Sequence, residues 1–227
     1  MIPILNICQG IQGPWENRTL DTIMVTAPTR KPVSPPKATP EMIPVILQTV
    51  RACEVMSRER IGALIEDGDS LLLDSSTTAL FTVKSIFSKH NLTIVTNSVE
   101  ILLDLPQNHD WSIISTGGSY RHESMAFYGS DAEDVVSKYY VDYAILSCKG
   151  LDMEKGITDT REPFAHLKSG FLKSAKKVIL AVDHTKFDKI SFVRFGDLRD
   201  VDLVVTDAEP SEKWKRFFAE QNVELVY

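Results

Sequence analysis

Residues 70–98 read SLLLDSSTTALFTVKSIFSKHNLTIVTNS, and their pattern decides the fold. The apolar run from Ser70 to Leu73 is too short for a helix and suits a strand buried on both faces. It stops at Asp74-Ser75-Ser76-Thr77-Thr78, residue types that favour turns and helix caps. A helix is expected from there to about Ser88. A second apolar run, Leu92 to Val95, stops at Thr96-Asn97-Ser98. Strand, polar turn, helix and strand make a βαβ unit, which lays the two strands parallel and side by side.

The same rhythm continues to the C-terminus. After a helix to about Leu105, a third strand is expected at Trp111–Ser115, ending at Thr116-Gly117-Gly118. A loop and a helix around Asp131–Tyr139 lead to a fourth at Val141–Leu146, ending at Ser147-Cys148-Lys149-Gly150. A helix around Pro163–Ala175 precedes a fifth at Lys177–Val182, ending at Asp183-His184-Thr185-Lys186. A sixth at Leu203–Val205 ends at Thr206-Asp207, and a last helix comes before a terminal strand, Val223–Tyr227. The expected architecture for residues 57–227 is therefore α/β, a mostly parallel open sheet with helices on both faces.

Upstream the pattern changes. TAPTRKPVSPPKATP, residues 26–40, has five prolines among few apolar residues, so residues 1–40 read as an irregular arm or linker. From Met42 to Ile65 apolar residues recur at three and four, an amphipathic helix or two in succession, with residues 41–56 as a helical lead-in. Hydrophobic residues make up 43% of the 227 and charged residues 25%, enough apolar content for a real core. No stretch is long and apolar enough to span a membrane. Cys8, Cys53 and Cys148 are odd in number and far apart, which suits unpaired thiols in a reducing cytoplasm.

Of the formal charge of −6, residues 1–50 hold +1 and the remainder −7. An acidic body makes a poor nucleic-acid surface, because phosphate contacts need a basic stripe.

The strand ends carry the functional argument. DSSTT, TNS, TGG, SCKG, DHTK and TD would lie along one edge of a parallel sheet, where ligands bind near a topological switch point. Each loop taken singly is adequately explained as a helix cap; the set of six points to a site. Asp74, Ser75, Ser76, Thr77 and Thr78 form the best phosphate cradle, since hydroxyls and free N–H groups at a helix N-terminus suit an anion. Gly117 and Gly118 allow close backbone approach, or simply turn the chain. Among charged residues, Lys149, Lys168 and Lys186 offer point charges for phosphate, and Glu162 and Asp183 accept from sugar hydroxyls. Glu162 and Lys168 stand six residues apart around a helix start, so they are not an i,i+4 surface pair and both can point toward the strand ends; solvated surface charge is the alternative reading, for Lys168 in particular. No glycine-rich phosphate loop of the Walker or dinucleotide type occurs, the histidines show no metal spacing, and no cofactor is indicated.

These residues resemble a known family. ERIGALIEDGDSLLLDSSTTAL (59–80), LTIVTNS (92–98), STGGSYRHESMAFYGSDAE (115–133), YVDYAILSCKGLDMEKGITDTREPFAHLK (140–168), KKVILAVDHTKFDKISF (176–192) and VDLVVTDA (201–208) resemble, in order, the C-terminal effector domain of DeoR-family bacterial transcriptional regulators. That domain is similar in fold to ribose-5-phosphate isomerase and the coenzyme A transferases. The resemblance implies a regulator that binds a phosphorylated sugar or related metabolite to control carbohydrate-metabolism genes. It implies ligand contacts from Asp74, Ser76, Thr77, Thr78, Asn97, Gly117 and Gly118, completed by Lys149, Glu162, Lys168, Asp183 and Lys186. It further implies DNA as partner through a winged helix-turn-helix, yet residues 1–56 contain no segment like the family's VSxxTIRRDL helix. A homodimer or tetramer is the expected assembly. Two alternatives stand beside this reading: a sugar-phosphate isomerase, with Glu162 or Asp183 as base, and a truncated regulator acting only through oligomerisation.

Overall fold

A computed structural model describes residues 60–105 and 110–227, all within the compact unit Pro40–Tyr227. The irregular arm at 1–40 and the lead-in at 41–56 lie outside the described residues. Of the expected Met42–Ile65 helix, the described end is helical, with wide π-type geometry, at residues 60–61, and it stops short of Ile65: residues 62–64 form a turn closed by Leu64 N–H to Ile61 O at 3.0 Å. Ile61 and Ile65 are nevertheless fully buried.

The apolar runs are strands. β1 (Ser70–Leu73), β2 (Thr93–Thr96) and β3 (Ser112–Ser115) alternate with α1 (Thr77–Ser85) and α2 (Val99–Asp104). β4 (Ser119–Arg121) and β5 (Ala126–Tyr128) follow as an antiparallel hairpin, then α3 (Ser130–Ser137) and β6 (Val141–Leu146). β7 (Gly150–Asp152) and β8 (Gly156–Asp159) precede α4 (Glu162–Phe171) and β9 (Ala175–Ala181). β10 (Val193–Gly196), β11 (Leu203–Val205), α5 (Glu212–Glu220) and β12 (Glu224–Val226) complete the chain.

The seven-stranded sheet is ordered β12-β11-β9-β6-β1-β2-β3, and every pairing in it is parallel. The chain winds from β1 outward through β2 to β3, then returns to β6 on the other side of β1 and winds outward again. Parallel crossovers keep a right-handed sense, so reversing the direction of winding moves the helices to the opposite face. The core shows this. Leu71, Leu73, Ile94, Ile145 and Val205 pack with Ala79 and Val83 of α1 and Ile101 of α2. Leu72, Val95, Ala144, Leu146 and Val204 pack with Val136 of α3, Phe171 of α4 and Trp214 and Phe218 of α5. Neighbouring residues of one strand therefore feed two cores, which explains the unbroken apolar runs. Leu71, Leu72 and Leu73 are all fully buried, each burial contributing roughly 2 kcal/mol.

The expected α/β sheet is thus present, and five strands outside it, β4, β5, β7, β8 and β10, were not placed by the sequence reading. The loop expected after Gly118 contains the β4–β5 hairpin. The stretch between the expected fourth strand and the following helix contains β7 and β8, which with β10 form a second, antiparallel sheet ordered β10-β8-β7. Both lie beside the strand ends and wall the site.

Candidate functional site

A crevice opens where the two windings part, between β1 and β6, and Asp74 stands in it. Its N–H continues the ladder to Ile145 O at 3.2 Å. Its Oδ1 accepts from Ser76 N–H at 2.9 Å, and its Oδ2 from Ser147 N–H at 3.1 Å. The Lys168 ammonium lies 3.2 Å from the same oxygen. One buried carboxylate thereby ties the exit of β1 to α1, to the exit of β6 and to α4.

Lys168 also meets Asp159 Oδ2 at 2.8 Å, donates to Ser147 O at 2.7 Å and lies 5.7 Å from the Phe195 ring centre. Burial alone would depress its pKa, but Asp74 and Asp159 outweigh that and hold it above the ordinary lysine value. Asp159 Oδ1 accepts from Thr160 N–H at 2.7 Å. The floor of the crevice is a closed network in which one cation meets two carboxylates. Cys148 is buried beside it, and desolvation pushes its thiol up to about 12, so no reactive thiolate arises there.

Above this floor lies a cavity of about 390 Å³, within the range of small-molecule sites. The first turn of α1 forms one wall. Ser76 caps that helix, its Oγ accepting from Ala79 N–H at 3.2 Å. Thr77 is the first helical residue and is exposed; its N–H has no acceptor within the helix. Ser75 Oγ and the Tyr128 hydroxyl are 3.3 Å apart, linking this turn to the hairpin. Asp183 caps the short turn 184–186, taking Thr185 N–H at 2.9 Å, and pairs with Lys186 at 3.0 Å. Burial works to raise the Asp183 carboxyl, but the Thr185 and Lys186 contacts win and lower it. His184 belongs to neighbouring Asp207, with Nδ1 to Oδ2 at 2.8 Å.

Four cations (Lys149, Arg161, Lys168, Lys186) and four anions (Asp74, Glu123, Asp159, Asp183) line the cavity. Lys168 and Lys186 are spent on carboxylates. Lys149 and Arg161 are exposed at the rim and form no ion pair among the described residues; Arg161 instead lies 5.9 Å from the Phe164 ring centre.

Ten residues singled out in the sequence line this one cavity: Asp74, Ser75, Ser76, Thr77, Thr78, Asn97, Lys149, Lys168, Asp183 and Lys186. Three do not. Gly117 and Gly118 have φ of +59° and +101° and start the hairpin. A Cβ on Gly118 would sit 2.7 Å from Tyr128 O, so that glycine is needed for strand-to-hairpin contact rather than for approach to the cavity. Glu162, read as pointing to the strand ends, is exposed, with Oε1 3.7 Å from His166 Nε2 one turn along α4. The helix phase sends Lys168 inward and Glu162 outward. Residues that the sequence reading omitted also line the cavity, chiefly Ser124, Tyr128, Asp159, Thr160, Arg161 and Phe164. The TDTR run, 158–161, was the available signal for three of them: it is another polar strand end before a helix. Among the described residues no group of His, Cys, Asp and Glu is placed to hold a metal ion.

Asn97 is 2% exposed. Its Nδ2 donates to Phe127 O at 3.1 Å and its backbone O accepts from Phe127 N–H at 2.9 Å, fastening the hairpin to β2. Its Oδ1 is buried and has no hydrogen-bond partner among the described residues.

Comparison with known proteins follows the same lines. The chain is 35% identical over 144 residues to the uncharacterized HTH-type transcriptional regulator YulB of Bacillus subtilis, covering 63% of this chain and 55% of that protein. It is 27% identical over 179 residues to the glycerol-3-phosphate regulon repressor of Escherichia coli, covering 77% of this chain and 71% of the relative. This chain therefore spans little more than half the length of the first of these. Among solved structures it is similar to eIF2B delta from Chaetomium thermophilum, with a TM-score of 0.52 at 16% identity, over 75% of this chain and 61% of that one. That likeness concerns the fold alone. No helix among the described residues is long and apolar enough to cross a membrane. The model of the DeoR C terminal sensor domain matches residues 59–208, well over half of the sequence, and the chain belongs to that family.

Proposed function

We propose that residues 57–227 form the ligand-sensing domain of a cytoplasmic transcriptional regulator, and that the cavity between β1 and β6 takes a phosphorylated sugar or related metabolite. One observation carries the reading: the N-terminus of α1, with exposed Thr77, opens onto a cavity whose only cations without a carboxylate partner among the described residues are Lys149 and Arg161. A helix N-terminus and two uncommitted cations suit a phosphate dianion. The relatives support it, since one of them is a repressor of a glycerol-3-phosphate regulon.

Binding without turnover fits the floor of the site. Proton abstraction from a sugar phosphate needs a carboxylate free to take the proton. Asp74 holds two backbone N–H groups and an ammonium, and Asp159 holds Thr160 and the same ammonium. Asp183 takes Thr185 N–H and pairs with Lys186, and Glu162 lies outside the cavity lining, so neither base named for an isomerase is free at the site.

The ligand acts on transcription by binding one conformation or assembly better than another. Calorimetric titration with ribose 5-phosphate, glucose 6-phosphate and glycerol 3-phosphate tests the reading. At least one is expected to bind, and its unphosphorylated counterpart to bind at least about tenfold more weakly. No heat from any phosphorylated sugar, at concentrations up to several millimolar, overturns it.

A further inference from the structure

We infer that Asn97 selects the ligand's chemistry: its buried Oδ1 demands a hydrogen-bond donor, so the site takes phosphorylated polyols and rejects phosphorylated carboxylic acids. The inference deepens the functional reading above and rests on it.

The amide cannot turn away. Nδ2 is held by Phe127 O at 3.1 Å, and the neighbouring backbone pairs with Phe127 N–H at 2.9 Å. Flipping the side chain would set Oδ1 against the Phe127 carbonyl, two acceptors face to face. Oδ1 therefore stays on the other side. It is buried and has no partner among the described residues, and Asn97 lines the cavity. An acceptor left in that state penalises the empty site, and a ligand that brings a donor removes the penalty.

Position narrows the donor. Asn97 follows β2, and the Asp74–Thr78 turn follows β1, the strand paired with β2. Adjacent strands lie about 4.8 Å apart. A phosphate at the start of α1 thus places the carbons next to its ester oxygen within reach of Asn97. A hydroxyl on those carbons donates to Oδ1. A carboxylate there offers only lone pairs, and meets Oδ1 as acceptor against acceptor. Sites built to hydrogen-bond a hydroxyl discriminate strongly against analogues that lack it.

The test titrates the protein with two sets of probes and with inorganic phosphate. Glycerol 3-phosphate carries a hydroxyl on the carbon beside the phosphorylated one; ribose 5-phosphate and glucose 6-phosphate do so in their open-chain forms, their closed rings placing the first hydroxyl one carbon further on. Phosphoglycolate and phosphoenolpyruvate carry only a carboxylate there. The tightest polyol phosphate is expected to bind at least about tenfold better than either acid. In Asn97→Ala, and in Asn97→Ser, that preference is expected to shrink to within about threefold. Phosphoglycolate binding as tightly as the best polyol phosphate in the unmodified protein overturns the inference without any variant. So does a preference that survives in a folded Asn97 variant. Failure of every phosphorylated probe to bind removes the functional reading and this inference together, whereas binding that ignores Asn97 removes this inference alone.

Discussion

Lys168 and Asp159 form an ion pair of 2.8 Å in which the side chains are only 13% and 1% exposed. With Asp74 on its other side, the ammonium is the common counter-ion of two carboxylates withdrawn from water. Removing it leaves two buried negative charges facing each other, and the loss of one partner from a buried pair costs about 3–5 kcal/mol. Lys168→Met is therefore expected to lower Tm by about 10 °C at pH 7. The sign of its pH dependence is a further check. Without the cation, a buried carboxyl has its folded-state pKa raised above the unfolded value. The folded state then binds more protons, so the variant gains stability as pH falls from 7 toward 5. Thermal unfolding across that range decides it; a deficit that does not shrink on acidification would mean that lost packing, not stranded charge, is the cause.

The rim is expected to behave differently from the floor. Lys149 is exposed, and its charge meets no carboxylate among the described residues, so Lys149→Gln should leave Tm within about 1 °C. It should weaken the tightest sugar phosphate about tenfold, the worth of one charge-assisted hydrogen bond. Glu162→Gln is the matched control, because Glu162 lies outside the cavity lining and pairs with His166. Its effect on affinity should stay below about twofold. Calorimetry on the two variants side by side tests the assignment, and equal losses would contradict it.

Gly117 and Gly118 separate two demands usually confounded. Both have positive φ, but a Cβ on Gly117 meets nothing within 4 Å, while one on Gly118 would lie 2.7 Å from Tyr128 O and 3.2 Å from the Ala132 backbone N. Gly117→Ala pays only the left-handed backbone cost, about 1–2 kcal/mol. Gly118→Ala must also push β5 or α3 aside, since the obstructing atoms include backbone. It is expected to cost at least about 1 kcal/mol more, read as a lower urea midpoint at unchanged slope. Equal midpoints for the two would show that the hairpin yields at this point.

How much was legible before the structure depended on what each element asks of its residues. The central strands needed apolar side chains on both faces, so SLLL, TIVT and VDYAIL announced themselves, and the polar turns marked the edge where the site lies. β7 and β8 are three and four residues long, carry a glycine each and have no alternation to read. β4 is wholly exposed, so nothing apolar reported its pairing with β5. Most of the cavity residues omitted from the sequence reading come from these same segments, Tyr128 from the hairpin, Asp159 from β8 and Arg161 just after it, whereas Phe164 comes from α4. Glu162 failed for a different reason. Six residues of helix separate it from Lys168, and helix phase decides which of two charged residues turns inward. The orphaned Asn97 oxygen had no sequence signal, because it is defined by a hydrogen bond that is missing.

At the opposite end of the strands, Asp142 staples β6 to β1. Its Oδ2 accepts from the Ser70 hydroxyl at 2.6 Å and from Ser70 N–H at 2.9 Å, and its Oδ1 meets the Lys176 ammonium at 2.7 Å. The Lys176 hydrogen bond first, and then those from Ser70, hold the carboxyl down to about 2. An unfolded aspartate titrates near 3.9, so the folded value is depressed and the contribution to stability is present above about pH 4. It is lost as pH falls through the folded value. The group is only half-buried and Lys176 is exposed, so solvent screening reduces the full linkage energy to about 1 kcal/mol. Asp142→Asn should therefore lower Tm by about 3 °C at pH 7, and the gap should narrow between pH 4 and pH 2, where the unmodified protein carries a protonated carboxyl as well. A gap that stays constant over that interval would mean the amide breaks the Ser70 hydrogen bonds by geometry, since only a charge can be titrated away.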